Sequence, residues 1–257
     1  MLLFSAPGEE DLKRLIETFA GEPEQIFRST DTRTVEGVEH VLYETSADYP
    51  KPRQLMSILE MERPEAGIVF TNTRDDAAML GAFLSRQGID AEFISSDLSQ
   101  KARERVMGRI KRGEIRFLIA TDIAARGIDV SDLTHVINYS LPEDPAIYLH
   151  RVGRTARIGK TGTAISLMSG RELNCRGILE RTWGIDFEIK ELPSLEDAKA
   201  LGVERHVAEL EDAMQRMAWE AYLDMARGIQ ERPDGNRLIA AALRGFFIWS
   251  RMDARRR

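Results

Sequence analysis

Apolar positions along the first two hundred residues alternate between two rhythms. Five short runs, Gly67–Thr71, Ala91–Ile94, Arg116–Ala120, Thr134–Tyr139 and Gly162–Met168, have the length and composition of buried strands. Between them lie segments with helical spacing: Asp75–Gln87, ended by Gly88; Ser99–Arg112, ended by Gly113; Pro145–Gly153; and Arg171–Trp183. Ahead of them, Val35–Thr45 reads as a strand and Lys51–Met61 as a helix, and Phe187-Glu188-Ile189 closes the series. Further upstream, Leu2-Leu3-Phe4 resembles a strand end, and Gly8–Ala20 a helix with Leu12, Leu15, Ile16 and Phe19 on one face. Strands alternating with helices in this way predict an α/β fold, a parallel sheet with helices on both faces.

Past Pro193 only helical signals remain. Ser194 suits an N-cap, with Asp197 three residues on. Pro233-Asp234-Gly235 predicts a turn before a strongly apolar last helix, Leu238–Trp249. Leu238, Ala242, Gly245 and Trp249 share one of its faces, while Ile239, Leu243, Phe246 and Phe247 make a broader second one. A helix apolar on most sides is normally buried. It is expected to pack on residues 207–226 and close a small bundle. A face left open would suit a homodimer through the C-terminal helices, with Arg251 and Arg255–Arg257 at its rim.

The 257 residues are 43% hydrophobic and 30% charged, which excludes collagen-like, disordered and disulfide-scaffold classes. Cys175 stands alone, so the chain has no intramolecular disulfide and no Cys-based zinc site; a reducing, cytoplasmic setting is expected. The four histidines show no metal-ligand spacing, and no apolar run approaches the ~20 residues of a membrane span. Net charge is −6, yet residues 99–181 hold 15 Lys/Arg against 9 Asp/Glu. An acidic chain with a basic middle points to a confined anion-binding face.

Three segments carry candidate chemistry. Ile68-Val69-Phe70-Thr71-Asn72-Thr73-Arg74 runs from a strand into a polar loop. Ala120-Thr121-Asp122-Ile123-Ala124-Ala125-Arg126-Gly127-Ile128-Asp129 also follows a strand's carboxyl end, where open α/β sheets bind ligands. His150-Arg151-Val152-Gly153-Arg154-Thr155-Ala156-Arg157 spaces three arginines by three; if helical, they share a face. Such a row is costly unless anions or carboxylates meet it.

In this order and spacing, the segments resemble motifs IV, V and VI of the C-terminal RecA-like domain of DEAD-box ATP-dependent RNA helicases. Gln100-Lys101-Ala102-Arg103 resembles motif IVa, and Ser5-Ala6-Pro7 resembles motif III. The likeness runs from Leu2 to Leu192. It implies a RecA-like sheet followed by an all-helical C-terminal extension. The domains would be a motif III remnant and link over 1–30, a helicase C-terminal domain over 31–192 and the extension over 193–257. Arg154 and Arg157 would be arginine fingers. Asp129, Arg126, Gly127, His150 and Arg151 would bind ATP or couple to a first RecA-like domain, in cis or trans. Asn72, Thr73, Gln100, Arg103 and Thr121 would contact RNA. ATP and Mg are the implied cofactors, with the metal ligands and phosphate loop expected from the first domain.

Three positions depart from the family pattern: Pro7 in place of Thr, Ser95-Ser96-Asp97 in place of His-Gly-Asp, and Ala156 in place of glycine. Alanine is tolerable there if the segment is helical. The resemblance implies the second motor domain of an RNA-unwinding enzyme that does not turn over ATP alone. The alternative is a stand-alone, non-catalytic RNA-binding or protein-interaction module. Singly, Arg151 also fits a structural salt bridge and Gln100 a helix start.

Overall fold

The computed structural model describes residues 37–125, 133–156 and 161–254. The segments Leu2–Phe4, Ser5–Pro7 and Gly8–Ala20 lie outside these residues, as do Arg255–Arg257.

Fourteen elements build the first part in chain order: β1 (Val38–Glu44), α1 (Lys51–Glu62), β2 (Gly67–Phe70), α2 (Arg74–Arg86), β3 (Ala91–Ile94), α3 (Gln100–Lys111), β4 (Phe117–Ala120), α4 (Asp122–Ala125), β5 (His135–Asn138), α5 (Pro145–Val152), β6 (Gly162–Met168), a 3-10 turn (Gly170–Glu172), α6 (Leu173–Trp183) and β7 (Glu188–Lys190). The strands form one parallel sheet in the order β3-β4-β2-β5-β6-β1-β7. This is the RecA-like sheet the resemblance implies. Every residue of β2 and β4 is buried, as strands covered by helices on both faces require.

Successive strand residues enter different cores. Val41, Leu55, Ile58, Leu80 and Ile119 pack beneath α1 and α2. Ile68, Phe70, Val106, Ile110 and Leu118 pack beneath α3. Leu42, Tyr148, Val152 and Leu179 join β1 to α5 and α6. The helices start where their caps place them: the side chains of Thr73, Ser99 and Asp144 accept backbone N–H bonds from Asp76, Ala102 and Ala146. Because the sheet is parallel, the residues that follow β2, β4 and β5 all emerge at its carboxyl edge.

The extension holds α7 (Leu195–Met214), a 3-10 turn (Glu220–Tyr222), α8 (Leu223–Gln230) and α9 (Gly235–Ala254). Ser194 caps α7 through the Asp197 amide, as expected. Residues 207–226, on which the last helix was expected to pack, are not one helix: α7 stops at Met214 and α8 begins at Leu223. α7 lies along α1, where Arg205 Nη1 donates to the Glu60 carbonyl at 2.8 Å. Phe247 of α9 meets His206 edge-on with centroids 4.5 Å apart. Arg244 donates to the Gly88 carbonyl at 2.9 Å and to Asp90 at 3.0 Å. Those partners precede β3, so the extension braces the amino edge of the sheet, away from its carboxyl edge. Ile239, Leu243, Phe246 and Phe247 are half-buried, whereas Leu238 and Trp249 stay 39% and 60% exposed. No helix among the described residues is long and apolar enough to cross a membrane.

β1 also carries a buried histidine. His40 Nδ1 lies 2.8 Å from the Tyr148 hydroxyl, and its ring packs between Tyr148 and Phe187. Among the described residues, Nε2 is buried without a partner. Burial lowers the His40 pKa to about 4. The folded state therefore favours neutral His40, and its contribution is complete above the unfolded pKa of about 6.5 and is lost as pH falls toward 4. Urea unfolding should show the chain losing about 2 kcal/mol more than His40→Leu between pH 7 and pH 5. Parallel pH dependences in the two proteins would show that His40 does not carry it.

Candidate functional site

The loops at the carboxyl edge converge on one side chain. Arg151 is 1% exposed and sits on the inward face of α5, beside Tyr148 and Val152. All five of its N–H donors have acceptors within the domain. Nε and Nη2 meet the two Asp122 carboxylate oxygens at 2.7 and 2.8 Å. Nη2 also donates to Asn72 Oδ1 at 2.9 Å, and Nη1 to the Ser140 carbonyl at 2.7 Å and Asn138 Oδ1 at 3.3 Å. The guanidinium carbon lies 5.1 Å from the Phe70 ring centroid. One arginine thus joins the ends of β2, β4 and β5 to α5. A bidentate fork to a carboxylate is the strongest form such a junction takes. In this structure all of Arg151's donors are taken up within the domain, and what it holds directly is the ends of β2, β4 and β5.

Arg154 does not share a helical face with it. α5 ends at Val152, with Gly153 as its C-cap. Arg154 follows in a turn, its amide bonded to the Arg151 carbonyl at 3.1 Å. Thr155 is buried, and its hydroxyl donates to the Leu133 carbonyl at 2.7 Å, with the Thr134 carbonyl at 3.0 Å. A Cβ on Gly162 would lie 2.2 Å from that hydroxyl oxygen, so glycine is what admits the anchor. Ala156 has φ 51°, in the left-handed region that favours glycine. The helical setting expected for Ala156 is thus overturned, and its conformation costs about 1 kcal/mol. Arg157, Arg126, Gly127 and Asp129 lie outside the described residues.

Beside the Arg151 junction is a recess of about 190 Å³, lined by Asn72, Arg74, Phe93, Ile94, Ser95, Ser96, Thr121 and Ile123. Asn72 is held at both ends of its amide, since Nδ2 donates to the Leu141 carbonyl at 2.9 Å. The Thr73 hydroxyl caps α2 and donates to Asp76 at 2.7 Å. Thr121 lies at the end of β4, and its carbonyl accepts the Ala125 amide at 2.9 Å. Arg103 Nη2 lies 3.4 Å from the Ser96 carbonyl, which ties α3 to the recess wall. Gln100 is exposed and donates to Glu104 at 3.1 Å. Ile123 is 77% exposed at the mouth of the recess. His150 is exposed on α5. The structure therefore gathers Asn72 and Thr121 around one opening, with Arg103 against its wall, and sets Arg154 beyond the far end of α5. Among the described residues, no group of three His, Cys, Asp or Glu side chains could hold a metal ion.

Sequence reading assigned no role to Asp122, Asn138 or Ser140. A signal for them was present in α5. Tyr148 and Val152 mark its inward face, and Arg151 falls between them at helical spacing. An arginine on a buried face requires a carboxylate nearby.

Comparison with known proteins agrees with this layout. The family described as helicase conserved C-terminal domain matches residues 50–159. The DEAD-box ATP-dependent RNA helicase CshA of Geobacillus kaustophilus is 35% identical over 243 residues, covering 95% of this chain and 52% of that protein. RNA helicase CrhR of Synechocystis is 34% identical, covering 93% and 49%. The chain thus spans about half the length of the curated relatives it matches. Among solved structures, the E. coli DEAD-box protein SrmB, bound to regulator of ribonuclease activity A, aligns with a TM-score of 0.55 at 32% identity. That alignment covers 63% of this chain and 93% of the SrmB chain. A parallel sheet in this strand order, motif segments meeting at its carboxyl edge and a relative of this similarity covered almost end to end place the chain in the DEAD-box RNA helicase family, as a helicase C-terminal domain with a helical extension.

Proposed function

We propose that this chain acts as the second motor domain of an ATP-dependent RNA helicase that unwinds or remodels RNA duplexes. A first RecA-like domain, in cis or trans, would supply the phosphate loop and the magnesium ligands. The observation that carries the reading is the Arg151 junction, because it ties the wall of the recess to the helix that ends beside Arg154. The donor chemistry fits an anionic phosphate: from His150 to Ala156 the chain holds imidazole and guanidinium groups and no carboxylate. Arg154 and Arg157 meet the γ-phosphate in this scheme, Asp129 holds the ribose, and Arg126, Gly127 and His150 complete the nucleotide side. ATP supplies the free energy of its phosphoryl transfer. The chain's own residues stabilise the charge that develops and hold one RNA strand by its backbone.

Asn72, Thr121 and Arg103 would provide the backbone contacts, which fix a strand without reading its sequence. The Thr73 hydroxyl and the Gln100 amide first have to leave their bonds to Asp76 and Glu104. A homodimer through the Leu238–Trp249 face rests on the exposure of that face alone.

Phosphate release assays separate this reading from a non-catalytic module. The chain alone should release no phosphate from ATP with or without RNA. Adding a DEAD-box first domain should restore RNA-stimulated release. RNA-stimulated turnover by the chain alone, or none with the first domain supplied, would overturn the proposal.

A further inference from the structure

The turn that carries Arg154 is tied to two different parts of the fold. From the side of α5, Gly153, Arg154 and Thr155 donate their amides to the Leu149, Arg151 and Val152 carbonyls at 2.8, 3.1 and 3.0 Å. The other tie comes from the sheet. Thr155 is 2% exposed, and its hydroxyl shares one proton between the Leu133 carbonyl at 2.7 Å and the Thr134 carbonyl at 3.0 Å. These acceptors stand at the entry to β5, the middle strand of the seven. Thr134 is itself held on both sides. Its hydroxyl donates to the Ala66 carbonyl ahead of β2 at 3.0 Å, and its carbonyl also accepts the Thr163 amide of β6 at 3.1 Å. The anchor therefore rests on three adjacent strands.

The surroundings are shaped for this one side chain. A Cβ on Gly162 would lie 2.8 Å from Thr155 Cγ2 and 2.9 Å from the Ala156 amide nitrogen, so β6 opens with the residue that leaves room for the anchor. Ala156, next in the chain, stands at φ 51°. A strained backbone of this kind persists only where the structure around it over-determines the conformation. Ending α5 requires neither the buried hydroxyl nor the strained alanine, because Gly153 already caps the helix. Both follow Arg154 directly. Its backbone is fixed on the amino side by α5 and on the carboxyl side by β5, which leaves its side-chain torsions to set its reach.

We infer that Thr155 is a positioning residue for phosphoryl transfer: its hydroxyl locks the Arg154 turn to the centre of the sheet and so sets where the Arg154 guanidinium meets the γ-phosphate. The inference rests on the role proposed above for Arg154. A misplacement of about 1 Å in a reacting constellation can cost about 10²-fold in rate. Where the lost contact is one made in the transition state, the loss falls on kcat and leaves KM in place.

Steady-state hydrolysis by the full chain, with a DEAD-box first domain and RNA supplied, reads this device. Thr155→Val keeps the shape and removes the donor. It should lower kcat about 10²-fold and change KM for ATP less than about threefold. Thr155→Ser keeps the donor and should stay within about threefold of the parent. On an Arg154→Ala background, Thr155→Val should slow the reaction by less than about threefold, because residues that act through one another are not additive. If Thr155→Val does not fold, the same substitution is read with Ala156→Gly, where glycine accepts the left-handed backbone without strain. A Thr155→Val protein that keeps its kcat while unfolding more easily would make the anchor purely structural. An equal loss with and without Arg154 would show that Thr155 acts elsewhere. Either result would overturn the inference while the Arg154 reading stood. Full activity of Arg154→Ala alone would remove that reading, and this inference with it.

Discussion

Replacing Arg154 with alanine should slow RNA-stimulated ATP hydrolysis about 10³-fold when the first domain is supplied separately, with stability changed by less than about 1 kcal/mol. Arg154 lies just past α5, in a turn whose shape is fixed by neighbours. Its amide bonds the Arg151 carbonyl, and Thr155 is pinned to the Leu133 and Thr134 carbonyls. The backbone is thus positioned before any nucleotide arrives, and truncating the side chain leaves those anchors in place. Under the proposed role, the Arg154 guanidinium would meet developing phosphoryl charge, so its removal should act on rate. Single-turnover hydrolysis at saturating ATP reads the chemical step, and urea unfolding reads stability. A variant that retained its rate but unfolded several kcal/mol more easily would make Arg154 a structural residue.

The same stretch shows which features the sequence displayed and which it concealed. Strand positions were legible because their apolar runs are short and bounded by polar loops. Ala91–Ile94 and Gly162–Met168 match residue for residue, and β2 ends one residue early. Helix ends were legible where a cap or glycine marked them, as at Ser194 and Ser99, and at Gly88 with φ 83°. The end of α5 was legible too, since the helix read as Pro145–Gly153 stops at Val152 with Gly153 as its C-cap. What the sequence concealed was the setting of Ala156: Thr155 is anchored in a turn, and Ala156 has φ 51° where a helical setting was expected. The four-residue α4 is too short for a periodic signal. The break between α7 and α8 has no proline or glycine to announce it. In the site, residue types were readable and partners were not, because a burial partner 29 positions away leaves no mark on local periodicity.

Arg151 should prove to be both the stabiliser of this domain and the link between its two functional ends, and a double substitution can separate those roles. Arg151→Met removes five hydrogen bonds and leaves Asp122, Asn72 and Asn138 facing an apolar side chain. Breaking one side of a buried pair costs about 3–5 kcal/mol. Asp122 is 35% exposed and can recover some water, so the lower end, about 3 kcal/mol, is expected. Arg151→Lys should also lose stability, since an ammonium has three donors and cannot form the two-point fork. Adding Asp122→Leu to Arg151→Met removes the stranded carboxylate and should return about 1–2 kcal/mol. It does not rebuild the tie between Asn72 and α5. RNA-stimulated hydrolysis with the first domain supplied should therefore remain low in the double variant at a temperature where it is fully folded, while RNA-independent hydrolysis falls less. If activity returned together with stability, Arg151 would serve folding alone. If the single Arg151→Met variant kept both, the junction would not be what joins the recess to the Arg154 turn.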